Sequence, residues 1–184
     1  MKVFVAGATG VLGRRIVRQL AGRNHIVIGA VRDGSGEKTV LSCGGDPRLV
    51  DLFDVDSLVK AADGAEVVIR AATAIPTKLR PSAKDWAMND RIRREGTKAL
   101  TEATARVGAR AFIQESVAWA VRSPDGSVYD EDAPPARDPV LASALDGERI
   151  GREAGERLGF DAGVLRCGGF YCADGWHTES SRGP

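Results

Sequence analysis

Gly7, Gly10 and Gly13 fall at a constant spacing within Gly7-Ala8-Thr9-Gly10-Val11-Leu12-Gly13, directly after the apolar run Lys2 to Ala6. Glycine permits a sharp turn and lets backbone N–H groups come close to a ligand. A helix that follows adds the positive end of its dipole. The chemistry this spacing suits is cradling a pyrophosphate, with Thr9, Val11 and Leu12 completing the turn. A bare structural turn is the alternative reading, and the strand–turn–helix context favours the dinucleotide.

Other reactive residue types give weaker patterns. His25 and His177 lie far apart and form no metal pattern. Cys43, Cys167 and Cys172 lack a C-x-x-C spacing, which argues against a zinc site or a disulfide framework and for a reducing, cytoplasmic setting. Glu131-Asp132 reads as solvated loop charge, as does Arg91, Arg93 and Arg94 on a helix face, with phosphate or substrate contact the lesser alternative. Trp86, Trp119 and Trp176 read as packing residues.

The elements that must position the glycine turn alternate between strand and helix. Strands are expected at Lys2 to Ala6, His25 to Val31, Leu49 to Asp51, Glu66 to Ala71 (with Arg70 interrupting an apolar run), Ala111 to Glu115 and Gly163 to Cys167. Helices are expected at Val11 to Ala21, Glu37 to Leu41, Asp54 to Ala62, Lys84 to Val107 and Val140 to Leu158, with a loop from Arg122 to Pro139. Right-handed crossovers then give an α/β fold, a doubly wound Rossmann-type parallel sheet ordered 3-2-1-4-5-6 with helices on both faces. Residues 1–172 are expected to form the dinucleotide-binding domain, and 173–184 a polar tail or the remnant of a substrate lobe. In such sheets the ligand crevice lies beyond the C-terminal strand ends, which makes Ser116, after strand five, the best catalytic candidate. A serine that merely ends a strand is the competing reading.

The ordered landmarks resemble the extended and atypical branch of the short-chain dehydrogenase/reductase superfamily, the NAD-dependent epimerase/dehydratase-like proteins. Gly7 to Gly13 matches the branch's G-A-T-G-x-x-G turn. Asp51-Leu52 follows strand three, where the branch has an acidic residue at the adenine. Ala71-Ala72-Thr73 ends strand four, where small residues pass beside the cofactor. Asn89 through Gly96-Thr97 is similar to an N-x-x-G-T stretch, and Leu165 to Tyr171 to the L-R-x-x-x-x-Y segment under the nicotinamide. The resemblance spans Met1 to about Tyr171. It implies cofactor contacts from the glycine turn, Arg32, Asp51, Leu52, Ala71, Ala72, Thr73 and Tyr171, and a substrate-oxygen contact from Ser116.

Where NAD-selective members carry an acidic residue after strand two, this chain has Val31-Arg32-Asp33. An arginine there can pair bidentately with a ribose 2′-phosphate, so NADP is preferred over NAD. Arg14 would add a second positive group. A solvated face is the alternative for both arginines, and Asp33 could instead approach a ribose hydroxyl.

The family's Tyr-x-x-x-Lys pair occurs nowhere in the chain. Anchoring on Glu148 and Arg166 places the two positions at Val140 and Ala144, or at Leu145 and Arg149, and neither register supplies a phenol. Tyr129, in the loop, reads as a surface residue. The resemblance also implies a small lobe after strand six, which is expected to be largely absent here. An open crevice would favour self-association as a homodimer, or a partner. The implied function is NAD(P)-dependent hydride transfer on a small carbonyl or hydroxyl compound or a nucleotide sugar. The alternative is a non-catalytic NAD(P)-binding sensor or partner-binding protein.

Composition bounds the rest. The 184 residues suit one domain, or a domain and a fragment of a second, with 43% hydrophobic and 28% charged residues and a net charge of +1. That balance offers nothing to nucleic acid, and no run reaches membrane-spanning length.

Overall fold

The computed structural model describes residues 1–170 and 172. Six parallel strands form one sheet in the order β3-β2-β1-β4-β5-β6, as the alternation predicts. The strands are β1 (Lys2–Ala6), β2 (Ile26–Val31), β3 (Asp46–Leu49), β4 (Val67–Arg70), β5 (Ala111–Val117) and β6 (Asp161–Cys167). The helices are α1 (Val11–Ala21), α2 (Gly34–Ser42), α3 (Val55–Ala61), α4 (Ala83–Arg91), α5 (Thr97–Arg106) and α6 (Ala142–Leu158).

Side-chain alternation along the strands builds two cores. Val3, Val5 and Val67 pack with Val17 and Val40 on the α1–α2 face. Phe4, Val68 and Phe112 pack with Leu58, Leu100 and Ala154 on the α3–α5–α6 face. Apolar runs buried on both sides are what a parallel sheet covered by helices requires. A third small cluster, Val117, Ala120, Ala136, Leu141 and Ala144, seats the 122–139 segment against the end of β5.

Several boundaries differ from expectation. β3 lies earlier than Leu49 to Asp51, because Asp46 pairs with Ile28 and Leu49 with Val31. Its Pro47 is tolerated at a sheet edge, where a missing N–H costs no ladder bond. α2 begins at Gly34 despite its glycines, because the Asp33 carboxylate accepts the Gly36 N–H at 3.0 Å and organises the first turn. β5 runs two residues further than expected, carried by pairing of Ser116 with Arg166 and Val117 with Cys167 on β6. β6 begins earlier for the same reason, at Asp161 opposite Ala111. A 3-10 turn, Pro139–Leu141, replaces the expected start of α6, with Asp138 accepting the Val140 N–H.

The long helix expected over Lys84 to Val107 is broken by a π-helical turn, Ile92–Gly96, between α4 and α5. The wider turn directs Ile92, Arg93 and Gly96 inward together. Gly96 allows a close approach there, since a Cβ would stand 3.2 Å from the Leu52 side chain.

Candidate functional site

The glycine turn folds as a cradle at the C-terminal edge of the sheet. Gly7 has φ +86°, and a Cβ on it would stand 2.5 Å from the backbone of Ala71 and Ala72. A Cβ on Gly13 would stand 2.0 Å from the Gly7 carbonyl oxygen. Both positions therefore admit only glycine, and they lock the turn against the end of β4. The Gly10 N–H donates to the Gly7 carbonyl and the Arg14 N–H to the Gly10 carbonyl, each at 3.0 Å. α1 has neither a side-chain cap nor an acidic residue in its first turn. Its first N–H groups thus lack an intrahelical acceptor and face the turn with the dipole's positive end.

Two cavities flank this cradle. One, of about 280 Å³, is lined by Gly7, Thr9, Arg32, Val50, Leu52 and Ala72. The other, of about 250 Å³, is lined by Val11, Leu12, Ile75, Glu115, Phe170 and Cys172. Gly10, Ala71 and Thr73 line both. A divided site with an anion-binding turn at its centre has the form a dinucleotide needs: two flat groups joined by a pyrophosphate. The residues fit that group, because Gly7 and Gly13 let the turn close against backbone that any side chain would strike, and the uncapped start of α1 lies beside Gly10, which lines both cavities.

The residues expected at the cofactor are thus brought together, with four qualifications. Asp51 is exposed, and its carboxylate accepts the Phe53 N–H at 2.9 Å, while Leu52 lines the first cavity. Asp33 is committed to capping α2. Tyr171 lies outside the described residues. Arg14 directs its Nε to the Gly10 carbonyl at 3.3 Å.

Beside the second cavity stands a buried charge network that sequence patterning did not reveal. Arg70, the apparent interruption of an apolar strand, is only 2% exposed. Its guanidinium donates to the Glu115 carbonyl at 2.7 Å and to the Ala72 carbonyl at 3.2 Å. Burial pulls it down to about 10, against the attraction of Glu115, and it remains a cation at neutral pH. Arg93 corrects the expectation of a solvated face: the π-turn buries it, and burial lowers its pKa. Its neighbours behave as expected, Arg91 pairing with Glu95 at 2.8 Å and Arg94 with Asp146 at 2.7 Å on the surface.

Glu148 joins three elements. Its carboxylate accepts the Ser116 hydroxyl at 2.5 Å and the Arg166 guanidinium at 2.7 Å and 3.0 Å. Burial works upward on the Glu148 carboxyl, but the Arg166 and Ser116 bonds outweigh it and hold the pKa below the ordinary value. Arg166 also donates to the Glu131 carbonyl at 2.7 Å, which anchors the 122–139 segment. Ser116 is buried, its hydroxyl donates to Glu148, and its side chain lies on the α6 side of the sheet.

Glu115 is on the opposite side. Along β5, Ala111 and Ile113 pack on the α1 face, whereas Phe112 packs against the α5–α6 core and Gln114 reaches the Gly147 carbonyl of α6. Alternation therefore turns Glu115 toward α1. It is 8% exposed, its Oε2 is buried without a hydrogen-bond partner, and burial raises its pKa despite Arg70 and Arg93. Its place at the expected end of strand five was the one signal the sequence offered for it.

Both registers for the absent pair lie on or beside α6. Val140 is exposed, Ala144 is buried, Leu145 packs against the third cluster, and Arg149 pairs with Glu153 at 3.0 Å. Tyr129 is surface-exposed in the 122–139 segment.

Comparison with known proteins agrees with this geometry. The family model described as NAD(P)H-binding matches residues 7–171. A 3-diazoavenalumate denitrifying reductase of Streptomyces sp is 35% identical over 79% of this chain and 48% of its own length. A photosystem II assembly factor Ycf39 of Synechocystis is 30% identical over 71% of this chain and 38% of its own. The chain thus spans about half the length, or less, of these relatives. Among solved structures, a Thermus thermophilus UDP-glucose 4-epimerase complex with NAD superposes with TM-score 0.76 at 25% identity, over 90% of this chain and 54% of that one. A Bacillus cereus UDP-glucuronic acid 4-epimerase gives TM-score 0.76 at 22% identity, over 90% and 56%. With the cradle and the family match in agreement, the chain belongs to the NAD(P)H-binding family, as a Rossmann domain of the short-chain dehydrogenase/reductase and epimerase/dehydratase superfamily without the Tyr-x-x-x-Lys pair.

Proposed function

We propose that the chain is an NADP-preferring oxidoreductase that transfers a hydride to a small carbonyl compound. The observation that carries this reading is the pair of cavities meeting at the glycine cradle. When bound, the dinucleotide supplies a hydride at the nicotinamide C4. The N–H groups opening α1 would hold the pyrophosphate. Val50, Leu52 and Ile92 would enclose the adenine, and Arg32, in the same cavity, would pair with the 2′-phosphate. With Asp33 capping α2, its carboxylate has a local partner, which supports NADP over NAD.

A second cavity of about 250 Å³ suits a nicotinamide ring and a small acceptor better than a nucleotide sugar. The reductase among the relatives supports reduction over epimerisation. Ser116 is buried, donates to Glu148 and lines neither cavity, so it is carried as a substrate-oxygen contact on its place near the end of β5 alone. Tyr171 is carried as a cofactor contact on its place in the Leu165 to Tyr171 segment.

Fluorescence titration with NADPH and NADH, followed by turnover against a carbonyl panel, tests the reading. Saturable binding is expected, tighter for NADPH. Arg32→Ala should weaken NADPH by about 10- to 100-fold, the worth of a charge-assisted pair, and leave NADH nearly unchanged. Equal loss for both would remove Arg32 from cofactor choice, and binding of neither would overturn the assignment.

A further inference from the structure

A reduction needs a proton as well as a hydride, and the sequence lacks the phenol that its relatives' pattern would supply. Glu115 and Cys172 are the titratable groups among the described residues lining the second cavity. Burial displaces the Glu115 carboxyl upward, toward the range where an acid–base group works best. Glu115 lies two residues before the end of β5, faces α1, and has one carboxyl oxygen buried without a partner.

The groups around it act in opposing directions. Arg70 on β4 and Arg93 on the π-turn favour its ionised form, as does the positive end of α1. Burial favours the neutral form and is the largest influence. Glu148, on α6, offsets part of the arginine charge by its own attraction for Arg70 and Arg93. Across the strand pair, Cys167 on β6 is raised in turn by burial and by Glu115, which keeps that thiol neutral. Burial and the two arginines thus act against each other at this carboxyl, and a positive charge arriving in the cavity adds to the side that favours the carboxylate.

Resting on the dinucleotide reading above, we propose that Glu115 is the proton carrier of the site: a neutral carboxylic acid beside the reduced, uncharged nicotinamide and a carboxylate beside the oxidised, cationic one. In the forward step the carbonyl carbon receives the hydride with its electron pair, the C=O π pair moves onto oxygen, and that oxygen takes the Glu115 proton. The C–H and O–H bonds form as the nicotinamide C–H and the carboxyl O–H bonds break. The carbonyl is reduced, the dihydronicotinamide is oxidised, and the carboxylate left behind pairs with the new cation. A solvent proton restores the acid when the oxidised cofactor leaves.

The decisive experiment needs no substrate. Isothermal titration of the chain with NADP⁺ and with NADPH at pH 7, in buffers of different ionisation enthalpy, reads the protons exchanged on binding. NADP⁺ is expected to release up to about one proton and NADPH none, with NADP⁺ affinity rising up to about tenfold per pH unit while Glu115 stays protonated in the free site and NADPH affinity staying flat. Glu115→Gln should bind both cofactors, release no proton, and lose the pH dependence for NADP⁺. Equal proton release for the two redox states overturns the proposal, as does release from Glu115→Gln that matches the parent. Those results leave the dinucleotide reading standing, whereas failure of the parent chain to bind either cofactor removes both. A second variant, Cys172→Ser, should retain the NADP⁺-linked release; its loss there would assign the proton to the thiol instead.

Discussion

Gly10 separates what the cradle needs for folding from what it needs for binding. Its φ is −74°, ordinary for any residue, and a Cβ would meet only the Gly7 carbonyl, at 3.3 Å. It is also the N-cap of α1, a position that favours aspartate. Gly10→Asp should therefore melt close to the parent chain or above it, yet lose NADPH binding, because its carboxylate would occupy the pyrophosphate position. Retained affinity in the titration would refute the cradle. Glu148 is the converse case, a residue whose removal costs stability. Glu148→Ala leaves a buried serine hydroxyl and the Arg166 guanidinium without their shared acceptor. Breaking a buried pair costs about 3–5 kcal/mol, so a thermal melt should fall by on the order of 10 °C. Glu148→Gln should fall between the two. A loss of less than about 2 °C for the alanine variant would show that the network does not hold β5, β6 and α6 together.

Among the elements, the π-turn has the largest consequence for the site. It brings Arg93 under the ends of β4 and β5 and sets its carbonyl against α6. A Cβ on Gly147 would stand 2.9 Å from that carbonyl oxygen. Gly147→Ala should force α6 away from the turn and cost about 1–3 kcal/mol, as overpacking does, read as a lowered denaturation midpoint with unchanged m. The same helix carries Glu148 one residue later, so the displacement should also weaken cofactor binding if the network supports the cavity. Neutral stability would mean that α6 approaches the turn less closely than the Cβ distance requires. The 122–139 segment follows a similar logic on a looser scale, held by Arg166, the Val121–Pro135 bridge and the small cluster of Val117, Ala120 and Ala136.

At the scale of the whole molecule, two buried carboxyls give stability opposite dependences on pH. Glu148 has a depressed pKa in the folded chain. Its contribution is present above the unfolded value of about 4.3 and is lost as pH falls through the folded one. Glu115 has a raised pKa. Its protonated form favours the fold, and that contribution declines as pH rises from about 4.3 through the folded value. Glu115→Gln should match the parent near pH 4 and become the more stable of the two as pH rises above the unfolded value of about 4.3, measured by denaturant midpoints. A constant difference across that range would mean that Glu115 titrates as an ordinary carboxyl. No helix among the described residues is long and apolar enough to cross a membrane.

The sequence by itself determined the sheet order, the glycine turn and many of the residues that line the two cavities. These depend on local rules: period-two and period-3.6 apolar patterns, glycine where a Cβ cannot fit, and right-handed crossovers. Gly7, Gly13, Arg32, Leu52 and Thr73 were legible because each stands at a fixed place relative to a strand end. Only the tertiary structure decided what Arg70, Arg93, Glu115 and Glu148 do. Read along the chain, they are an interrupted strand, a basic helix face, a strand end and a helix anchor. Folding brings them together from two strands, a π-turn and α6, and the turn's extra width, invisible in a helical period, rotates Arg93 inward. Burial then changes their chemistry, because a charge removed from water is governed by its neighbours in space rather than by its neighbours in sequence.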